Sequence, residues 1–488
     1  MARKTKEILD KDGNDVRDLG YYFTPKQVST FIQTSMLEIN PKLKTVLDPA
    51  VGKEELIDIF IEKNISVESF DIVKLKREYS SRFNNIDFIE YIMENFSNDV
   101  FGSKQLCHDG VIMNPPYNCH ELDYIKLNKQ RLTNHFKDTK ALNMYSMFMD
   151  AVISNSKEGA VLGMIVSDSF MTNKMHKALR DKIRNNCKIH KLIMCPTDLF
   201  WSQKADVRTT ILILEKTKDK SEKDVTQVLQ RLNSVDEFSI ALERKKFLHC
   251  HEHDLFLSHE RDNNEIIVDV PPELRQLFTN QRIGDVYPCI TGISTGNDKK
   301  YLSIEKSEKY PFPFYKNPGS NKFKSEPQNY LVKNFLEISK TEKTFMVRNK
   351  NYIGQKGITC SSMGVKFSAC ELPEGSAFGV NPNIFPPVND IGWLCCYLNS
   401  SLVQYLLRGV IVRSNMVTSG YVSRIPLVEL PENVKDDMTN IHNRVMDDSL
   451  SVVEAISLID QMIYKNCNFS KKSTDTIKTF CANLYRST

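Results

Sequence analysis

Two hydrophobic periods divide the first half of this chain. Short apolar runs of strand type occupy residues 45–47, 67–71, 111–113, 160–166, 191–195 and 209–214. Between them, apolar residues recur at helical spacing. Met144, Met147, Phe148, Ala151 and Val152 share one face of a helix expected over 144–156, and another is expected over 175–183. Strands alternating with helices predict an α/β domain on a sheet that is mainly parallel. Residues 118–140 interrupt the pattern: they are polar and lysine-rich and read as a mobile loop. Farther on, a helix is expected from Trp393 to Leu407. Beyond Pro431 the chain turns helical, with Val452, Ile456, Ile459 and Ile463 at spacings of 4, 3 and 4.

One run carries chemistry. Val111-Ile112-Met113 leads directly into Asn114-Pro115-Pro116-Tyr117. The two prolines fix φ and supply no N–H, and the proline after Asn114 pushes that residue to an extended conformation. A stiff turn at the carboxyl end of a parallel strand lies where open α/β sheets bind ligands. Asn114 and the Pro115 carbonyl present acceptors for the two N–H groups of an exocyclic amine, while Tyr117 offers a face for its ring. The plainer alternative is a strand ending in a proline turn, with Tyr117 half buried.

The chain resembles the γ-class of DNA amino-methyltransferases, the adenine-N6 enzymes of bacterial restriction–modification systems. Gly20-Tyr21-Tyr22-Phe23-Thr24-Pro25 resembles the family's loop over the cofactor's methionine end, and Asp48-Pro49-Ala50-Val51-Gly52 its S-adenosylmethionine loop. Asp71 stands where the family has a ribose-binding acid, and Asp87-Phe88 resembles its adenine-ring contact. The resemblance implies a catalytic set of Asn114, Pro115, Pro116 and Tyr117, with Tyr117 and Phe200 stacking on an extruded base (Trp201 is the rival to Phe200). The implied cofactor set is Tyr22, Phe23, Thr24, Pro25, Asp48, Pro49, Ala50, Gly52, Asp71, Asp87, Phe88 and Asn114. The expected fold is α/β: a Rossmann-like S-adenosylmethionine-dependent methyltransferase domain over 1–235. A linker over 236–275 then leads to a mixed α+β target-recognition domain over 276–431 and a helical segment over 432–488.

Physical chemistry supports parts of this independently. A carboxylate closing the second strand, 23 residues after Asp48, can accept from both ribose hydroxyls. Acids after apolar runs are also ordinary loop residues or helix caps, and Asp87 could simply cap an amphipathic helix containing Phe88, Ile89, Tyr91 and Ile92. The glycine loop departs from the family. A second glycine usually follows the first closely, whereas here Gly52 is followed by Lys53-Glu54-Glu55. Either the loop closes differently around the methionine or cofactor affinity is reduced.

Composition narrows the setting. The 488 residues suffice for two or three domains with full cores. The 12 cysteines lack paired Cys-x-x-Cys spacing, which fits a reducing, cytoplasmic setting. The start, Met1-Ala2-Arg3-Lys4-Thr5-Lys6, leads into no apolar signal core, and no apolar run approaches membrane-span length. The segment before Tyr22 is expected to be too short for a nuclease domain. His249-Cys250-His251-Glu252-His253-Asp254 reads as polar linker rather than a metal site, because strand alternation would split its ligands between two faces.

Net charge is only +4, yet residues 299–356 carry 13 Lys and Arg against 5 Asp and Glu, interleaved with ten Phe and Tyr. A solvated basic face accounts for such a bias, and so does a surface for nucleic-acid phosphates. Just upstream, Ile290-Thr291-Gly292-Ile293-Ser294-Thr295-Gly296-Asn297 resembles the opening of the family's recognition domain, and Gly420 to Pro426 its closing segment. Thr295, Asn297, Lys299, Lys300, Arg348, Arg413 and Arg424 are the expected DNA contacts. The expected activity is methylation of adenine N6 in duplex DNA, with a cognate restriction endonuclease as a further partner. The alternatives are a methyltransferase acting on RNA or on protein glutamine, and a weakened DNA-recognition module that needs a partner.

Overall fold

The six apolar runs are strands of one sheet. They form β1 (Thr45–Asp48), β2 (Ser66–Phe70), β4 (Gly110–Met113), β5 (Val161–Ser167), β6 (Cys187–Met194) and β7 (Thr209–Lys216), joined by β3 (Arg82–Asn84), β8 (Val225–Leu229) and β9 (Leu248–His251). The order across the sheet is β3-β2-β1-β4-β5-β7-β6-β8-β9. From β3 to β5 every pairing is parallel, whereas β7 runs antiparallel between β5 and β6. The computed structural model describes residues 22–96, 104–117, 123–140, 143–201, 207–221, 223–268, 270–412 and 416–484. It divides into two units, Met1–Asp269 and Val270–Thr488.

Helices cover both faces of the sheet, so its central strands read as continuous apolar runs. Along β1 and β4, Leu47 and Val111 join one core with Phe88, Met147 and Phe148. Val46 and Ile112 join the other, with Val28, Ile32, Met36 and Phe60. On the second face α1 (Lys26–Ile39) lies directly against β5. The close approach needs a glycine: a Cβ on Gly163 would lie 2.6 Å from Met36 Sδ and 2.7 Å from Ile32 Cγ2. Gly163→Ala should therefore overpack this seam and cost about 1–3 kcal/mol, read as a lower denaturant midpoint at unchanged m-value. An unchanged midpoint would show that Met36 yields freely.

Strand order reverses at β1, whose neighbours are β2 on one side and β4 on the other. That is the switch point at which doubly wound sheets open a crevice beyond their carboxyl ends. Asp48 ends β1 and Asn114 follows β4 there.

Two expectations from the sequence need correction. The stretch 118–140, read as a loop, contains α4 (Asp123–His135), anchored by buried Ile125 and Leu132. The stretch 236–275, read as a linker, carries α7 (Val235–Glu243) and strand β9, which pairs with β8. Glu252 follows β9, and its carboxylate accepts from the Ile189 N–H at 2.9 Å and from Lys220 at 2.6 Å. The first unit therefore runs to Asp269. The remaining helices of this unit used below are α2 (Asp58–Glu62), α3 (Phe88–Asn95), α5 (Met144–Asn155) and α6 (Lys177–Asn186).

The second unit combines two four-stranded sheets, a two-stranded ribbon and helices. Helix Ile391–Asn399 is buried at every position and packs on Glu432–Met446. Helix Val452–Asn466 starts with a capping box between Ser451 and Glu454 and buries Ala455, Ile459 and Ile463. Residues 276–431 and 432–488, expected as separate segments, thus share one compact unit. Among the described residues no helix is long and apolar enough to cross a membrane.

Candidate active site

A cavity partly open to solvent lies at the carboxyl ends of β1, β2 and β4. Its walls come from five segments that the sequence had singled out: Tyr22 and Thr24; Pro49 to Gly52; Asp71; Asp87 and Phe88; and Asn114 with Pro116. Glu55, Leu56, Ile72, Val73, Leu75, Ile86, Met144 and Phe148 complete it. The last two lie on α5, whose apolar face was legible but whose position over the cavity was not.

Asn114 is oriented by its neighbours. Its Nδ2 donates to the Tyr22 carbonyl at 2.8 Å and to Thr24 Oγ1 at 2.9 Å, which uses both amide protons. Its Oδ1 lies 2.8 Å from the Tyr117 hydroxyl, which is also 3.2 Å from the Ile165 carbonyl. A carboxamide oxygen has two acceptor sites, so one of them is left after Tyr117. Burial pushes the Tyr117 phenol well above its ordinary range, which keeps it a hydroxyl and a donor. Thr24 is 2 % exposed, and Pro25 is the N-cap residue of α1. Phe23 is 47 % exposed and does not line the cavity. Gly20 and Tyr21 lie outside the described residues.

Three acids surround the glycine loop in different ways. Asp48 is wholly buried and accepts from the Ala50 N–H at 3.0 Å, while its Oδ2 has no hydrogen-bond partner among the described residues. Burial, with Asp71, Glu55 and Glu54 nearby, raises its pKa well above the usual carboxylate range. Asp71 accepts from the Gly52 N–H at 2.9 Å and from the Val73 N–H at 3.0 Å, and burial raises its pKa despite those bonds. Asp87 caps α3, accepting from the Ile89 N–H at 2.8 Å and the Glu90 N–H at 3.4 Å. The cap and the cavity wall are therefore the same residue, and the two readings of Asp87 do not compete.

The departure after Gly52 has a structural answer. Gly52 adopts φ +55°, and Glu54, in the stretch that lacks the expected second glycine, adopts φ +70°. A left-handed conformation is one that non-glycine residues rarely take. Glu54 holds it with a buried carboxylate that pairs with Lys76 and accepts from the Ser80 N–H at 2.9 Å, the Ser81 N–H at 2.8 Å and Ser81 Oγ at 2.8 Å. The sequence left open whether the loop closes differently or binds the cofactor less well, and it gave no sign of the anchor.

Phe200 is 1 % exposed and meets Tyr22 edge-on at 6.2 Å, and Tyr22 lies 5.8 Å from Tyr117. It presents no open face to a ligand, whereas Trp201 is 63 % exposed. In the second unit, Asn297 caps a short helical turn by accepting from the Lys300 N–H at 3.3 Å, and Thr295 is buried and donates to Asp298. Lys299, Lys300 and Arg348 are exposed, with Lys300 paired to Glu342 at 2.8 Å. Arg424, expected as a surface contact, is only 4 % exposed; Arg413 lies outside the described residues.

Residues 32–200 match the Eco57I restriction-modification methylase family. A nuclease-deletion mutant of the Type ISP restriction-modification enzyme LlaGI, solved with a DNA substrate mimic, is 13 % identical over 88 % of this chain and 47 % of that one, with a TM-score of 0.52. The DrdV–DNA complex is 12 % identical over 88 % and 57 %, with a TM-score of 0.49. A proposed class I S-adenosylmethionine-dependent methyltransferase from Listeria monocytogenes is 20 % identical over 47 % and 71 %, with a TM-score of 0.35. This chain thus spans about half the length of the LlaGI and DrdV chains.

Proposed function

We propose that this chain, a restriction-modification methylase of the Eco57I family over residues 32–200, methylates the exocyclic N6 of an adenine turned out of duplex DNA. S-adenosylmethionine is the donor that the family and fold imply, and when bound it supplies a methyl group already activated on a sulfonium. The cavity suits it. Asp71 offers carboxylate oxygens to ribose hydroxyls, Phe88 and Ile86 flank a planar ring, and the orphaned Oδ2 of Asp48 lies behind a loop that would face cationic groups.

The observation that carries the acceptor reading is the polarity of Asn114. Its donor end is used up on Tyr22 and Thr24, and its acceptor end keeps a site beside the cavity. A group presenting only acceptors selects an amine over a carbonyl or hydroxyl oxygen that has no proton to give. The adenine N6 lone pair is conjugated with its ring and is a poor nucleophile. Hydrogen bonds from N6 to Asn114 Oδ1 and the Pro115 carbonyl favour the pyramidal nitrogen and strengthen as positive charge develops, which is the condition for accelerating transfer. With the cofactor bound, the nitrogen lone pair would form the new C–N bond as the methyl's bond to sulfur breaks with its electron pair left on sulfur, and one N6 proton would then leave to solvent. Tyr117 stacks on the extruded base, whose unpairing costs a few kcal/mol.

The test is expression in a host lacking adenine methylation, followed by sequencing that reports modified bases. N6-methyladenine confined to one short motif, and absent with Asn114→Ala, supports the reading. Methylation at cytosine N4 instead would overturn the adenine assignment, and unmodified DNA from a protein that binds the cofactor would overturn DNA as the acceptor.

The same reading assigns the basic stretch 299–356 to phosphate contact, with Lys299 and Arg348 as its exposed charges and a restriction endonuclease as a further partner. Lys299→Ala with Arg348→Ala should weaken binding similarly on all sequences and flatten the log K against log salt slope by about 2. An unchanged slope would return these residues to an ordinary solvated face.

A further inference from the structure

We infer that Glu54 is a positioning residue for the cofactor: it clamps the segment 71–81 against the glycine loop, doing with a buried ion pair what the missing glycine would leave to backbone alone. The inference rests on the cofactor reading of the cavity. Segment 71–81 joins β2 to β3 without helix or strand, yet Asp71, Ile72, Val73 and Leu75 form one wall of the cavity. Its own core is slight. Within 71–81 only Ser81 is buried, and Ile72 is 63 % exposed. A wall of this kind needs polar anchors.

Glu54 supplies most of them. Its carboxylate takes the Ser80 and Ser81 amides, the Ser81 hydroxyl and the Lys76 ammonium. Ser81 Oγ in turn lies 2.6 Å from Ser69 Oγ on β2. A second tie runs the same way. The Tyr79 hydroxyl donates to the Gly52 carbonyl at 3.2 Å and accepts from the Leu75 N–H at 2.9 Å, while Lys76 lies over its ring. Gly52 and Glu54 are thus both linked to the segment that carries Asp71 and Leu75. The Glu54 side chain is 5 % exposed, and four donors converge on it, so its removal leaves the buried Ser81 amide without an acceptor.

The chemistry of the anchor sets the expectation. A glycine at 54 would relax the left-handed backbone but free the wall. A glutamine would keep one acceptor for the amides and turn an amide donor toward Lys76. Cofactor affinity should therefore fall in the order wild type, Glu54→Gln, Glu54→Gly, while the Asn114 turn and the DNA surface are untouched.

The experiment measures S-adenosylmethionine binding by calorimetry, the KM for it and kcat at saturating cofactor, together with hydrogen exchange at residues 71–81. For Glu54→Gly we expect KM and Kd for S-adenosylmethionine to rise about tenfold or more, with kcat and DNA affinity within about twofold. Faster exchange at Ser80 and Ser81 should accompany the loss. Lys76→Met should reproduce part of the effect without altering residue 54, which guards against a simple folding defect. Wild-type binding with Glu54→Gly equally tight, or kcat falling at unchanged KM, overturns the clamp. A wild-type protein that binds no S-adenosylmethionine overturns the reading of the cavity, and the clamp with it.

Discussion

Asn114→Ala should retain cofactor and DNA binding yet transfer methyl groups about a thousandfold more slowly, the size of effect seen when one preorganised hydrogen-bonding group is deleted from a reaction centre. The residue is placed for this by three bonds that do not involve a substrate. Tyr22 and Thr24 take its two amide protons, and Tyr117 takes one side of its oxygen. Alanine removes the acceptor and also releases residues 22–24 from the end of β4. A modest weakening of cofactor binding is therefore expected alongside the loss of rate, because Tyr22 and Thr24 line the same cavity. Asn114→Asp separates the two effects. It keeps an acceptor but replaces the donor to Tyr22 and Thr24 with a second oxygen facing two oxygens, so it should lose cofactor affinity as well as rate. Single-turnover rates with calorimetric affinities read both. Turnover within about tenfold of wild type in Asn114→Ala would mean that the amine is held by something other than this turn.

The sequence disclosed this centre well because its parts are local. A strand running into two prolines can end only one way, so Asn114 and Tyr117 are placed by their neighbours. Asp48 and Asp71 end or follow β1 and β2, Asp87 follows β3 closely, and the parallel sheet brings those ends together. What sequence could not give depends on pairing across the chain. β7 lies between β5 and β6, an insertion no local pattern encodes. β9 is short, mostly exposed and at the edge of the sheet, where alternation is weak, so it was lost in a supposed linker. α4 was missed because its polar face dominates; Ile125 and Leu132, two turns apart, were the available sign. Phe200 was assigned from the resemblance, as an aromatic that stacks, and Arg424 as a cation that meets DNA, and both are buried. Glu54 shows the converse. A carboxylate in a glycine's place looks like damage until Lys76, Ser80 and Ser81 are seen around it.

Acid should destabilise the first unit through His176, in a window between its ordinary pKa and about pH 4. His176 is 3 % exposed, and burial first, then Arg180, holds its pKa down to about 4. The ring is neutral in the folded state, with Nε2 3.1 Å from the Tyr145 hydroxyl and 3.4 Å from Asn143 Nδ2. The unfolded chain takes up a proton near pH 6.5, while the folded chain resists until about pH 4. The stability that the depressed pKa represents is thus complete above pH 6.5, falls as pH drops through the window and levels off below it. A gap of this size corresponds to about 3 kcal/mol at most. Asp48, Asp71 and Asp87, whose pKa values are raised, pull in the opposite sense over part of the same range. The contribution must therefore be read as a difference between wild type and His176→Gln, which cannot titrate. The variant should be less stable at pH 7.5 and should lose less on acidification, so that the two unfolding curves converge near pH 4. Parallel curves would show that His176 does not set the slope. The consequence reaches the reaction centre, because Tyr145 links His176 to Ser169 at 2.6 Å and packs at 6.4 Å against Tyr117. Protonating His176 turns its acceptor into a donor facing Asn143 Nδ2 and the Tyr145 hydroxyl, and it adds a charge beside the buried guanidinium of Arg180. The ring that backs Tyr117 should loosen first, so acid should impair methyl transfer before it unfolds the sheet.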